Sequence, residues 1–371
     1  MRVPWAVPYV DERELTELTD AIQTNWLSMG KRVRKLETLW AEHLGAKHAI
    51  AVCNGTIALE VALRVMGIGP GDEVIIPAMT YFATASSVVL RGATPVFADI
   101  EERTYNLNPA DIAHRITDNT RAIMYIDYGG NPADSAGILA VGRKHGIPVL
   151  QDAAQSLGGM VDGQPLGFQA GLSTVSFHAA KLVTTVEGGM IFTDDDAVAR
   201  QLRILRNQGE DPGHKYLHVM IGYNARMTDL QAAIGLVQFD KFDEIVVRRQ
   251  ELAQNYGRML QDQPHIELIA PRIGQDRNGW FLYLVMVPNR DRVAEQLRGK
   301  GVDTRVSFPM PVYRQPALAK LLPRNYEPAC PVAESFTREV LTLPMFHQMT
   351  DQQQAYVAEK LIETLEEPCQ G

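Results

Sequence analysis

Lys181 closes the run Ser173-Thr174-Val175-Ser176-Phe177-His178-Ala179-Ala180 and precedes Leu182-Val183-Thr184-Thr185-Val186-Glu187-Gly188-Gly189. A lysine set just after a short apolar segment, among small and hydroxylated residues and ahead of a glycine pair, can present its amine to a carbonyl carbon and hold an aldehyde as a Schiff base. The same lysine would also suit a solvated surface charge, so the decision rests on whether the chain supplies the other groups such chemistry needs. Three segments offer them. Cys53-Asn54-Gly55-Thr56 turns from a strand into a helix, where free backbone N–H groups and the helix dipole bind phosphate and Thr56 adds a hydroxyl. A plain helix N-cap fits that turn equally well. Tyr81 follows the strand at 73–76, placed either to stack on a planar ring or to fill core. Asp152 ends the strand at 148–152 with a carboxylate.

These groups need elements to hold them. Leu15, Leu18, Ala21 and Ile22 recur at helical spacing in residues 11–24, and Leu36, Leu39 and Trp40 mark a second amphipathic helix over 35–43, with a loop at 26–30 between them. Strand 49–52 leads into helix 57–65. Gly69-Pro70-Gly71-Asp72 turns into strand 73–76, which stops at Pro77, and residues 78–84 open another helix. Residues 94–100 and 122–126 are strand-like, 127–132 a loop, 135–145 a helix and 148–152 a strand. Strand 190–193 and helix 196–206 follow. Strands alternating with helices predict a parallel, doubly wound α/β sheet, whose ligand sites lie at the strands' carboxyl ends. Residues 54–56, Tyr81, Asp152 and Lys181 all follow strand ends, so one crevice can hold them. Residues 207–219 form a surface loop and 222–235 a loop entering a helix. A long amphipathic helix at 239–260 then leads to strand 280–287, helix 290–300, strand 302–308 and helix 351–366. The expected division is a large domain over 1–245 and a smaller α+β domain over 246–371.

Bulk properties set limits. A chain of 371 residues exceeds what one core usually supports, so two domains are expected. With 36 Lys plus Arg against 44 Asp plus Glu, a net charge of −8 and no basic cluster, nucleic acid is not an expected partner. No apolar run approaches the roughly 20 residues that span a bilayer, and Met1-Arg2-Val3-Pro4-Trp5 has no signal-peptide core. A cytoplasmic location is expected. Cys53, Cys330 and Cys369 are too widely spaced to indicate a disulfide framework or a zinc site, so no metal is expected.

An amine, a carboxylate, a phosphate turn with Ser176 nearby and an aromatic ring are the parts that pyridoxal 5'-phosphate requires. The Gly-x-Gly-x-x-Gly of a nicotinamide site and the Gly-Lys-Ser/Thr of a P-loop are both missing at the first turn. Over nearly its whole length the chain resembles the DegT/DnrJ/EryC1/StrS sugar aminotransferases. The matching segments are Asn54-Gly55-Thr56-Ile57-Ala58-Leu59, Gly69-Pro70-Gly71-Asp72-Glu73-Val74-Ile75, Asp152-Ala153-Ala154-Gln155, Ser176-Phe177-His178-Ala179-Ala180-Lys181, Glu187-Gly188-Gly189 and Gly222-Tyr223-Asn224 through Gly235. The resemblance implies a fold-type I transferase, with a mixed, mostly parallel sheet between helices in the large domain. It also implies roles: Lys181 carries the cofactor, Gly55, Thr56 and Ser176 hold its phosphate, Asp152 pairs with its ring nitrogen, Tyr81 stacks on the ring and Gln155 lies near its 3-hydroxyl. Asn224 would reach across a homodimer interface to the partner's cofactor phosphate, so that the active sites are shared. An amino-acid donor, expected to be L-glutamate, would leave its amino group as pyridoxamine 5'-phosphate, and a keto sugar would then take it up. Lys181 would move the proton in both halves.

Residues 207–226, and Gly301-Val302-Asp303-Thr304-Arg305 with Phe308-Pro309-Met310, resemble perosamine-synthase-like enzymes that aminate C4 of a 4-keto-6-deoxyhexose. The Ser-Phe-His-Ala-x-Lys form resembles enzymes acting on C4 of UDP-linked 4-keto pentoses. Ser28, Glu187, Arg305 and Tyr313 are candidate substrate contacts, each with a packing or surface role as the alternative. Three residues depart from the family pattern: Asp127 replaces a histidine before Tyr-Gly, Phe281 a histidine before Leu-Tyr, and Val186 a small residue before Glu-Gly-Gly. The first two are expected in or near the substrate pocket, which leaves a C3-keto sugar, a cyclitol or another unusual acceptor open. Relatives that dehydrate carry histidine at the lysine position, unlike this chain. An amino-acid aminotransferase would need a late arginine for the substrate carboxylate, for which only Arg305 is available. A non-catalytic regulatory protein on this fold would be expected to have lost Lys181 or Asp152.

Overall fold

The computed structural model describes residues 1–269, 277–322, 326 and 328–367. Its first half contains α1 (Glu12–Gln23), α2 (Lys31–Leu44), β1 (His48–Val52), α3 (Gly55–Val65), β2 (Glu73–Pro77), α4 (Phe82–Leu90), β3 (Thr94–Ala98), α5 (Pro109–Arg115), β4 (Thr120–Ile126), α6 (Ser135–His145) and β5 (Val149–Asp152). A small hairpin, β6 (Met160–Val161) and β7 (Gln164–Pro165), precedes β8 (Leu172–Ser176), β9 (Gly189–Thr193), α7 (Asp196–Arg206), α8 (Asp229–Asp240) and α9 (Phe242–Leu260). The remainder forms β10 (Glu267–Leu268), β11 (Tyr283–Met286), α10 (Arg290–Gly299), α11 (Pro316–Ala319), α12 (Pro331–Glu339), β12 (Val340–Leu343) and α13 (Asp351–Glu366).

Seven strands pair in the order β1-β9-β8-β5-β4-β2-β3. Residues throughout β5 and β9 and after Leu172 in β8 are buried, as strands covered on both faces must be. Every pair from β8 through β3 is parallel, whereas β9 runs antiparallel to both β1 and β8. The sheet is therefore mixed rather than wholly parallel. The reason is local: residues 177–188 hold no crossover helix between β8 and β9, and a direct return can only pair antiparallel.

Cores lie on both faces of this sheet. One gathers Ile50, Val52, Ile76, Met124 and Leu150 with the apolar sides of α3, α4 and α7. The other gathers Ala51, Val175 and Phe192 with α2, α8 and the start of α9, where the Trp40 ring lies 5.0–5.6 Å from those of Phe177, Phe239 and Phe242. The three-stranded antiparallel sheet β10-β11-β12 carries its own core with α9, α10 and α13. Val3 belongs to that second core although it opens the chain, while Tyr313 and Phe336 pack into the first.

The structure shifts three sequence expectations. The helix read over 239–260 begins a separate element at Phe242. At the break Lys241 is fully buried, and its ammonium bonds both Glu14 oxygens at 2.7 Å and Asp11 at 3.0 Å. Strand 280–287 shortens to β11, because Trp280 takes a left-handed φ of 53°. Residues 302–308 form no strand; they touch neighbours through the bridges Val3↔Val302 and Arg305↔Thr342, and Phe308 takes φ 64° ahead of Pro309. Cys53 and Cys330 are free thiols, and Cys369 lies outside the described residues. Among the described residues no helix is long and apolar enough to cross a membrane, and no cluster of metal-ligating side chains is found.

Candidate active site

The carboxyl ends of β1, β2, β5 and β8 open into one cleft of about 880 Å³, also lined by residues 305–310, Val312 and Gln315. Asp152 is the last residue of β5 and is buried, paired in register with Ile126 on one side and Thr174 on the other. Thr84 Oγ1, on the first turn of α4, donates to its Oδ2 at 2.8 Å, and the Ala154 N–H donates to Oδ1 at 3.2 Å. Burial pushes the Asp152 carboxyl upward, and the Thr84 and Ala154 hydrogen bonds and the Lys181 charge oppose that push.

Lys181 sits in the turn after β8, its N–H bonded to the His178 carbonyl at 2.9 Å. The amine lies 4.4 Å above the centre of the Phe281 ring. Burial lowers its pKa from 10.5 to about 8, with the charge of Asp152 pulling the other way. A substantial fraction of the amine is then unprotonated near neutral to mildly alkaline pH, the state in which it is a nucleophile and a base.

The turn after β1 supplies the anion site. Asn54 caps α3 by accepting the Ile57 N–H at 2.9 Å. That leaves the Gly55 and Thr56 N–H groups at the positive end of the helix without intrahelical acceptors. A Cβ on Gly55 would lie 2.8 Å from Ser176 Cβ and 3.1 Å from its Oγ. Only glycine lets the Ser176 hydroxyl reach the start of the helix. Tyr81 caps α4, is 61% exposed and lies 6.1 Å from Phe308 across the cleft. Gln155 is buried, its Oε1 holding the Gly129 N–H at 2.8 Å. A phosphate cradle, a buried carboxylate, an amine and an open aromatic face thus share one cavity, and the donor set fits pyridoxal phosphate.

Of the residues singled out from the sequence, Lys181, Asp152, Gly55, Thr56, Tyr81, Gln155, Ser176, Glu187 and Arg305 line this cleft. Glu187 and Arg305 are about half-exposed; His178 stands 3.7 Å from the Glu187 carboxylate, and Arg305 pairs with Asp303 at 2.5 Å and covers the Trp5 ring. Ser28, Asn224 and Tyr313 are not brought to the cleft. Ser28 is exposed in the loop before α2. Tyr313 is buried against Phe97, and its hydroxyl donates to Glu334 at 2.5 Å. Asn224 is exposed on the strip bridged to Asn207, beside the exposed side chains of Tyr216, Leu217, Val219 and Ile221.

The two departures expected near the pocket separate. Phe281 lines the cleft, but Asp127 does not: it is fully buried beneath it, accepting from Ser156 Oγ at 2.5 Å, Gln151 Nε2 at 2.8 Å and the Ala133 N–H at 3.0 Å. Val186 is exposed with φ 69°, a strained conformation for a β-branched residue. Thr84 and Trp5 escaped the sequence reading. The Thr80-x-x-x-Thr84 spacing one turn into α4 was a usable signal for the first; nothing local marks Trp5, which reaches the cleft only through the pairing of Val3 with Val302.

A lysine at the end of a β-sheet cleft, with a buried carboxylate and a helix-start anion site in the same cavity, is the arrangement of a pyridoxal phosphate-dependent enzyme. A model of the DegT/DnrJ/EryC1/StrS aminotransferase family matches residues 8–362, and the chain belongs to that family of sugar aminotransferases, which use pyridoxal phosphate. It is 37% identical to GDP-perosamine synthase of Caulobacter vibrioides, over 94% of this chain and 95% of that one. It is 38% identical to a pleiotropic regulatory protein of Geobacillus stearothermophilus, over 93% and 92% of the two chains. Its structure matches S. venezuelae DesV, solved in complex with a ketimine intermediate, with a TM-score of 0.92, 32% identity and 99% of each chain covered.

Proposed function

We propose that this aminotransferase moves an amino group from L-glutamate to C4 of a nucleotide-linked 4-keto-6-deoxy sugar, in the cytoplasm, as a homodimer with shared sites. The observation that carries the reading is the convergence on one cleft of Lys181, Asp152 and the α3 start packed against Ser176. The likeness to GDP-perosamine synthase supports C4, as does the placement of Arg305 and residues 308–310, which carry that resemblance, in the wall of the same cleft.

In this reading the Gly55 and Thr56 amides and the Thr56 and Ser176 hydroxyls hold the phosphate. Asp152, fixed by Thr84 and Ala154, pairs with the ring nitrogen, and Tyr81 covers the ring. The cofactor supplies a ring that accepts the electrons left when a proton departs from the carbon beside the transferred nitrogen. Lys181 Nζ would take that proton and deliver it to the cofactor carbon within the first half-reaction, and would carry a proton in the reverse direction in the second, a role its pKa of about 8 suits. Phe281, Leu282 and Phe308 line the same cleft as the amine and give that side of it an apolar wall. Asn224, exposed on the strip bridged to Asn207 and outside its own cleft, is assigned to the phosphate site of the partner subunit. Retention of Lys181 and Asp152 speaks against a purely regulatory role.

Purified protein is incubated with pyridoxal phosphate, glutamate and nucleotide-linked 4-keto and 3-keto sugars, following 2-oxoglutarate and the mass of the aminated product. Amination of a 4-keto-6-deoxy sugar, lost in Lys181→Ala, is the expected result; amination at C3 alone, or of non-sugar ketones alone, refutes the substrate reading. Mixing Lys181→Ala with Asn224→Ala subunits tests the dimer. A twofold-symmetric dimer with shared sites leaves one intact site per heterodimer, so about a quarter of wild-type activity returns. No return refutes the sharing.

A further inference from the structure

Asp152 stands where a carboxyl group has strong reason to take up a proton. It is only 5% exposed, the buried Asp127 carboxyl lies within electrostatic reach, and Lys181, the cation that favours its charged form, is itself drawn toward neutrality. A ring nitrogen paired with this acid keeps its own proton only while the acid stays ionised. Support for that state comes from a side chain outside the cleft. Thr84, fully buried in the first turn of α4, donates from Oγ1 to Asp152 Oδ2 at 2.8 Å, and the Ala154 N–H donates to Oδ1 at 3.2 Å. Thr80, also buried, places its Oγ1 2.7 Å from Thr84 Oγ1.

A hydroxyl carries one proton. Because Thr84 gives its proton to the carboxylate, the bond between the threonines has one direction: Thr80 donates and Thr84 accepts. The result is a chain of hydrogen bonds ending on Asp152, in which each bond polarises the next. Protonating the acid disturbs this chain at either oxygen. A proton on Oδ2 weakens the acceptor that Thr84 needs or reverses both hydroxyls, and a proton on Oδ1 weakens the acceptor of the Ala154 N–H, which can only donate. Thr84 does not line the cleft, so a bound molecule does not compete for its hydroxyl. We propose that Thr84, polarised by Thr80, is a positioning residue that keeps the proton shared by Asp152 and the cofactor's ring nitrogen on the nitrogen. The inference rests on the pairing of Asp152 with the ring in the reading above and goes beyond it, giving Thr84 a part in the reaction from outside the cleft.

Thr84→Val keeps the shape of the side chain and removes its hydroxyl, whereas Thr84→Ser keeps the hydroxyl. In cofactor-free protein, infrared difference spectra against Asp152→Asn follow the Asp152 carboxyl. Thr84→Val should move its titration up by about one to two pH units, the effect of losing one hydrogen bond to a charged group, and Thr84→Ser should titrate as wild type does. With 15N-labelled pyridoxal phosphate bound, the ring-nitrogen resonance of Thr84→Val should move from the protonated toward the unprotonated position, while wild type and Thr84→Ser remain protonated. The accompanying fall in kcat should be about tenfold or more, with KM for the sugar within about twofold. Thr80→Val should shift both signals the same way by a smaller amount, and it decides the question if Thr84→Val does not fold. An unchanged carboxyl titration, or a ring nitrogen that stays fully protonated, in Thr84→Val or in Thr80→Val standing in for it, overturns the proposal. A resonance that responds to Asp152→Asn but not to loss of the threonine hydroxyl sinks the proposal alone; one that ignores Asp152→Asn sinks the pairing of Asp152 with the ring, and the proposal with it.

Discussion

A lysine kept partly neutral for chemistry should be a burden on the fold when the cofactor is absent, and the size of that burden follows from the cleft. The amine falls from its ordinary 10.5 to about 8 in the folded protein. At 1.36 kcal/mol per pH unit the gap is about 3.4 kcal/mol between the two states of protonation. The amine opens on solvent in the cleft, so screening reduces this to about 1–3 kcal/mol. Between pH 8 and 10.5 the unfolded chain holds a proton that the folded amine has released, so the Lys181 contribution to stability rises with pH across that window. Below pH 8 the penalty is complete, and above 10.5 it vanishes. Replacing Lys181 by Met, which keeps the bulk and removes the charge, should therefore stabilise the cofactor-free protein at pH 7. With an unfolding entropy of roughly 2.1 cal/mol/K per residue, the gain is about 1–4 °C in Tm. Paired melts of cofactor-stripped wild type and Lys181→Met from pH 6.5 to 9.5, at matched protein concentration, provide the assay. The gap should be widest below pH 8 and close as pH rises. A less stable Lys181→Met protein, or a gap that widens with pH, would refute the assignment of a desolvated cation at this position.

Three further outcomes test other parts of the site. Gly55→Ala places a Cβ 2.8 Å from Ser176 Cβ and should spread the phosphate cradle, raising the Kd for pyridoxal phosphate about tenfold, one step of roughly 1.4 kcal/mol. Fluorescence titration of the cofactor-free protein checks it, and an unchanged Kd removes the cradle from the anion site. Tyr313→Phe deletes the hydroxyl bonded to Glu334 and should lower stability by about 1–3 kcal/mol in urea while leaving kcat/KM within about twofold. The reverse pattern, lost activity at full stability, would return Tyr313 to the substrate. Val186→Gly relieves a β-branched residue held at φ 69° and should raise stability by about 1 kcal/mol, because glycine adopts that region freely. A drop in Tm would show that the Val186 side chain is needed at the surface it occupies.

Much of the site could be read from the chain because a parallel sheet does the gathering. Each group stands just beyond a strand, and parallel strands deliver their carboxyl ends to one edge, so Gly55, Tyr81, Asp152 and Lys181 meet without further information. Distant partners were not legible. Nothing in residues 239–242 shows that Lys241 must leave helical register to meet Glu14 and Asp11, more than 220 positions earlier. The extended pattern of 302–308 was real, but a strand exists only where a neighbour accepts its hydrogen bonds, and two isolated bridges do not make a ladder. Tyr313 shows the same limit: it was a candidate substrate contact, while the turn at 312–314 directs its ring onto Phe97.

Asp127 and Phe281 carry the sharper lesson, since both departures were assigned to the pocket on equal terms. Asp127 follows β4, and its acceptors meet donors from three separate places: Gln151 inside β5, Ser156 after it, and Ala133 in its own loop. Burial pushes its carboxyl upward while those hydrogen bonds oppose the push. A histidine in this setting would offer at most one acceptor nitrogen to three donors. The acid is therefore matched to Gln151 and Ser156, and it ties the 127–133 loop to the turn that carries Asp152 and Gln155, a link reinforced by the Gly129 N–H on Gln155. Its effect on catalysis must pass through the position of that turn. Phe281 has no such intermediary, because its ring faces the amine directly. One substitution thus changes what supports the site and the other what the substrate meets, a distinction set by which strand neighbours each residue acquires in the fold.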